Sequence, residues 1–146
     1  TRTSPGGKRA SYMLDDVYGT ITKNEINGIY GVYNKNINNA NLIDVADVSS
    51  IKLGKAYFTT VIENDTKETF EINILKLNKD VATKNIFFEI TDEKLLKKTK
   101  GIVQGMSGSP IIQDGKIIGA VTHVVVDDFS KGYGIFITSM LKEIEN

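Results

Sequence analysis

The sequence holds 146 residues, with 18 lysines and arginines against 18 aspartates and glutamates, so its formal net charge is zero and nothing in that balance favours nucleic acid or an anionic membrane. Its composition, 40% hydrophobic and 25% charged, is ordinary for a soluble globular protein, and the length suits one domain with an adequate core. Cysteine is absent, which excludes a disulfide framework, a thiolate zinc cluster and a thiol nucleophile.

In chain order the pattern is mostly strand. Thr1 to Arg9, with Ser4-Pro5-Gly6-Gly7, reads as a loop or a mobile end. Gly19-Thr20-Ile21-Thr22 and Gly28 to Tyr33 are short β-rich pieces, and the asparagine-rich stretch from Asn34 to Asn41 reads as an exposed connection. Lys55–Ile62 and Glu68–Leu75 flank a polar turn. The second alternates strictly, which predicts Phe70, Ile72 and Ile74 inward and Thr69, Glu71 and Asn73 outward. Ile86–Ile90 is a further strand. Thr91 to Lys98 predicts a short helix, with Thr91 as N-cap, acids in the first turn and lysines in the last. Pro110 to Val121 is a hairpin turning at Asp114-Gly115, Tyr133 to Ile137 is a last strand, and Ser139 to Asn146 is a C-terminal helix. No apolar run approaches the roughly 20 residues of a spanning helix, and the N-terminus is polar, unlike a signal peptide. Many short strands between turn signals predict an all-β, barrel-type fold without an internal domain boundary.

The most informative stretch is Gly105-Met106-Ser107-Gly108-Ser109-Pro110. Its glycines permit unusual backbone dihedrals, and a serine held between them exposes its hydroxyl. Such a serine suits nucleophilic acyl transfer, with the amides of Gly105 and Ser107 as an oxyanion hole. A plain Gly-Ser-Gly turn explains the same residues without chemistry. Ser109 suits local hydrogen bonding. His123, the sole histidine, stands in the apolar run Ala120 to Val126 and reads as a packed histidine before it reads as a base. Asp127 and Asp128 read as turn residues, and Lys94, Lys97, Lys98 and Lys100 as a solvated helix face. No set of residues has metal-ligand spacing, and no cofactor is expected.

The block from Ile102 through Gly105-Met106-Ser107-Gly108-Ser109-Pro110-Ile111-Ile112, with Gly115-Lys116, Ile118 to Val124 and Gly132-Tyr133-Gly134, resembles the stage IV sporulation protein B serine peptidase family. Weaker similarity runs back through Ile90-Thr91-Asp92 and Leu95-Leu96-Lys97 to Gly19-Thr20-Ile21 and Gly28-Ile29-Tyr30-Gly31. The resemblance implies a trypsin-like fold, here one complete barrel from about Lys55 to Ile137 plus part of a second. It implies an endopeptidase acting between mother cell and forespore on a membrane-bound regulator, whose cleavage releases an intramembrane protease and so permits late mother-cell sigma factor processing. It casts Ser107 as nucleophile, Asp92 as the acid orienting the base, and Thr122, His123, Tyr133 and Gly134 as walls of the substrate pocket. Met106 departs from the general trypsin-like pattern, which commonly has an acid there, but matches the sporulation family. The family's base is a histidine in an upstream Gly-His segment that no residue here matches. Its PDZ domain and membrane anchor are likewise unmatched, so residues 1–146 read as one partial peptidase domain, excised and soluble. The contrasting expectation is an inactive binding or assembly module. Open strand edges at Gly19 to Val32 predict self-association.

Overall fold

A computed structural model describes residues 3–5 and 13–145. Strand β1 is Thr3–Pro5, β2 is Gly19–Glu25 and β3 is Gly28–Tyr33; β4 is Gly54–Val61, β5 is Lys67–Leu77 and β6 is Ile86–Ile90. Helix α1, Glu93–Thr99, precedes β7 (Pro110–Gln113), β8 (Lys116–Val125) and β9 (Asp128–Phe136), and helix α2 is Ile137–Glu145. Six strands pair antiparallel in the ring β4-β5-β6-β9-β8-β7, and β7 closes it by pairing back to β4. The complete barrel expected between Lys55 and Ile137 is therefore present, from Gly54 to Phe136. Beside it stands a separate two-stranded sheet, β2-β3.

The local rules that build the barrel are those the sequence displays. β5 alternates, and Phe70, Ile72 and Ile74 enter the core with 0–2% exposure while their neighbours stay partly wet. Phe58, Phe70 and Phe88 meet inside the ring, with Phe58 5.9 Å and 6.5 Å from the other two ring centroids. The β7–β8 turn takes φ 51° at Asp114 and 75° at Gly115. Positive φ at both central residues is what a two-residue hairpin loop demands, and Asp-Gly tolerates it best. Gln113, 6% exposed, clamps the chain before β4: its side-chain amide donates to the Lys52 and Lys55 carbonyls at 2.9 Å and 3.1 Å and accepts from the Lys52 amide at 2.9 Å.

Three expectations need correction. Thr3–Pro5, expected in a loop, forms β1 and pairs antiparallel with Val125 to His123 of β8. β7 ends its pairing at Ala120, so β8 has an open edge beyond it that an extended segment can fill despite the local Pro-Gly signals. The rest of the loop expected from Thr1 to Arg9 lies outside the described residues, as does the last residue of the expected C-terminal helix. Asp92 rather than Thr91 is the N-cap of α1, its carboxylate accepting from the Leu95 amide at 3.0 Å. The Thr91 hydroxyl is spent on Glu71 instead. Finally, α2 starts at Ile137, ahead of Ser139.

Candidate active site

The loop between α1 and β7 carries Ser107. Gly105 takes φ 104° and Gly108 φ 87°, conformations that L side chains resist. Met106, between them, turns inward with 2% exposure and anchors the loop in the core. Backbone bonds from Met106 to Val103 (3.2 Å) and from Ser109 to Met106 (3.0 Å) tighten the turn. The Gly108 amide then donates to the Val121 carbonyl at 2.8 Å, and the Val121 amide to the Ser109 carbonyl at 2.9 Å. The loop is thus stitched to β8 just before β7 begins, and Ser107 is left exposed at its crest. The Gly105 and Ser107 amides have no acceptor among the described residues.

Thr122 organises the polar groups here. β8 bulges at this residue, since Val121 faces Gly134 and His123 faces Tyr133 with Thr122 between them. The Thr122 carbonyl accepts from Ser107 Oγ at 3.2 Å. Its hydroxyl donates to the Tyr133 carbonyl at 3.1 Å, so it must accept from His123 Nδ1, 2.8 Å away. That assignment puts the imidazole proton on Nδ1 and a lone pair on Nε2. Burial, and then the positive charge of Lys84, hold the His123 pKa below its ordinary 6.5, so the ring is neutral at pH 7. Ser107 and His123 share a wall of a cleft of about 590 Å³. Asn24 to Ile29, at the turn of the β2–β3 hairpin, form its other side, and Met140 of α2 closes one end. Glu143 of α2 ties the hairpin down, meeting Lys23 Nζ at 2.6 Å and Asn27 Nδ2 at 3.2 Å. No hydrogen bond joins Ser107 to His123 among the described residues; each bonds Thr122 instead.

The family model for SpoIVB peptidase S55 matches residues 1–141. The chain belongs to that family. No curated protein and no solved structure matches it.

Membership of the SpoIVB peptidase S55 family makes the chain part of a serine peptidase lineage. Of the residues singled out in the sequence, Ser107, Thr122 and His123 come together in the cleft. Asp92 does not line it; besides capping α1, its second carboxylate oxygen stands 3.5 Å from the Glu71 amide. Tyr133, expected in the same pocket, lies on the outer barrel face and packs its ring on Phe87 with centroids 4.9 Å apart. Gly134, also expected there, faces the barrel interior, where an added Cβ would lie 2.7 Å from Ile111 Cδ1 and 2.9 Å from the Ala120 carbonyl. Its small size serves strand packing, not substrate access. No group of three or more metal-ligating side chains forms among the described residues.

Two contributors to the site were missed in the sequence. One is the β2–β3 turn, whose role as a cleft wall depends on contacts with a helix more than a hundred residues later in sequence. The other is Asn85, 1% exposed. Its side-chain NH₂ donates to the Asn78 and Val81 carbonyls at 3.1 Å and 2.8 Å, and its oxygen accepts from the Phe136 amide at 3.1 Å. It holds the 78–85 loop, and hence Thr83 at the cleft rim and Lys84, against the barrel. The only sequence signal was an asparagine directly before an apolar strand.

Proposed function

We propose that the chain carries the nucleophile of a serine endopeptidase, and that Ser107 is that nucleophile. The observation that carries the reading is the crest itself: an exposed serine between two positive-φ glycines, beside two amides with no acceptor among the described residues. In this reading Ser107 Oγ attacks the scissile carbonyl carbon and its proton passes to a base. The carbonyl oxygen becomes an oxyanion facing the Gly105 and Ser107 amides. Collapse breaks the C–N bond, the leaving amine takes the proton from the base, and water then hydrolyses the acyl-serine. The base is the histidine of the Gly-His segment that the family resemblance implies, not His123, which makes no hydrogen bond to Ser107 among the described residues. His123 and Thr122 serve as cleft wall. The substrate is a protein, a membrane-bound regulator between forespore and mother cell whose cleavage releases an intramembrane protease.

The test is a serine-directed fluorophosphonate together with cleavage of the regulator by the active peptidase. Ser107→Ala should abolish both and leave the circular dichroism spectrum unchanged, because glycines shape the turn. Ser109→Ala should act mildly. Cleavage surviving Ser107→Ala, or covalent labelling at another residue, overturns the assignment.

A further inference from the structure

A second groove of about 650 Å³ lies on the outer barrel face between the 78–85 loop and strands β5, β6 and β9. It joins the serine cleft, since Thr83 lines both. Register makes the join continuous. Phe87 of β6 stands opposite Tyr133 of β9, and Tyr133 opposite His123 of β8. All three are half-buried side chains on the outer face, alternating with core residues such as Ile86 and Phe88. Three ring-bearing residues in register therefore cross three strands from the cleft into the groove, with Phe87 and Tyr133 in ring contact.

The electrostatics of the groove are one-sided. Among the described residues Lys76 and Lys84 line it, and no acidic side chain does. Lys84 Nζ stands 5.8 Å over the Tyr133 ring, a cation–π distance, and its charge is felt at His123. The Lys84 backbone sits at φ 59°, in the left-handed region, and the adjoining buried Asn85 holds it there. The ammonium group is thus carried on a loop pinned to the barrel, over the middle ring of the row.

We propose that this groove selects the substrate: an extended peptide that lays an apolar or aromatic side chain on the Phe87–Tyr133 rings and sets a carboxylate against Lys84 and Lys76. Neighbouring strands are about 4.8 Å apart, so the Tyr133 ring that Lys84 overlies stands about 5 Å from His123, or about two residues of extended chain. The acidic residue therefore lies about two positions beyond the residue that contacts His123. This rests on the peptidase reading for the identity of the ligand as substrate, while the groove's own preference can be read without catalysis.

The experiment uses the Ser107→Ala protein and two fluorescein-labelled octapeptides, identical except for Glu or Lys two residues from a central Tyr. Anisotropy should show the Glu peptide binding at least about tenfold tighter than the Lys peptide. The gap should shrink between about 0.05 M and 0.5 M salt, as charge pairing at a half-open site requires. Lys84→Glu should reverse the preference. Lys76→Glu, an exposed position where folding is not at stake, should narrow it. Equal affinity for the two peptides, or a preference untouched by both substitutions, overturns the proposal. Failure of fluorophosphonate to label Ser107 in the active peptidase, with its upstream histidine present, overturns the peptidase reading instead and leaves the binding result to be read on its own.

Discussion

Thr122 gives the cleft its polarity by using both of its oxygens, the carbonyl for Ser107 and the hydroxyl for His123. The consequence for His123 is a ring kept neutral and fixed in one tautomer. Its folded-state pKa lies below 6.5, so as pH falls the unfolded chain binds the proton first. This group's contribution to stability is complete above about pH 6.5, is lost as pH drops through the depressed folded value, and changes no further below it. Denaturant melts between pH 7.5 and 5 should show that slope in the wild type and a flatter one in His123→Gln; parallel curves would count against it. Lys84→Gln should raise the His123 midpoint in an NMR titration, because it removes the positive neighbour. Asp92 offers a complementary test. Asparagine caps a helix nearly as well as aspartate. Asp92→Asn should therefore keep the melting temperature, and Asp92→Ala should lower stability by about 1 kcal/mol. If capping is its whole task, Asp92→Asn also keeps the cleavage rate. A loss of about 10⁴-fold in kcat would instead give Asp92 the orienting role that the family resemblance implies.

At the scale of elements, what could be read in advance was whatever local chemistry decides. The Asp114-Gly115 turn, the alternation of β5 and the serine crest are set by dihedral demands and side-chain period, and the structure has them where the residues put them. β1 was invisible because Ser4-Pro5-Gly6-Gly7 carries loop signals, and only the open edge of β8 makes a strand of it. The placement of Tyr133 and Gly134 turned on strand parity next to the Thr122 bulge, and a bulge leaves no reliable mark in one sequence. The 78–85 loop is the clearest case of a tertiary decision. Nothing local says that Asn85 will be buried with three side-chain hydrogen bonds made. Asn85→Ala leaves the buried Phe136 amide and two partly buried carbonyls without partners and should cost about 1–3 kcal/mol, read from chemical denaturation. A loss below about 0.5 kcal/mol would mean that water replaces the side chain and that the loop is not held as described. Glu143 plays the analogous part for the β2–β3 hairpin. Glu143→Ala should speed amide exchange across Gly19–Tyr33 and leave the barrel strands protected.

Over the whole molecule the two sheets differ in how they treat their edges. The barrel closes on itself and so hides its strand edges, with β1 extending β8 where β7 stops. The β2–β3 sheet pairs only within itself among the described residues. On the face that Ile21, Ile29 and Tyr33 share its apolar side chains are exposed, Ile21 and Ile29 each 61% and Tyr33 55%. A two-stranded sheet is marginal alone in water, and this one is steadied chiefly by Glu143 and Met140 of α2. Open backbone edges together with an apolar face favour pairing with a second copy of the same sheet. The net charge of zero offers no long-range repulsion against it. Light scattering on the 146-residue chain should therefore show mass rising from monomer toward dimer with concentration. Ile29→Lys should shift the curve to higher concentration, since it puts a charge on the apolar face without entering the barrel core. Amide exchange should slow at β2 and β3, and not at β4 to β9, as the dimer forms. A mass that stays monomeric to millimolar concentration, or a dimer that Ile29→Lys leaves unchanged, would show that this sheet is not the surface through which copies meet.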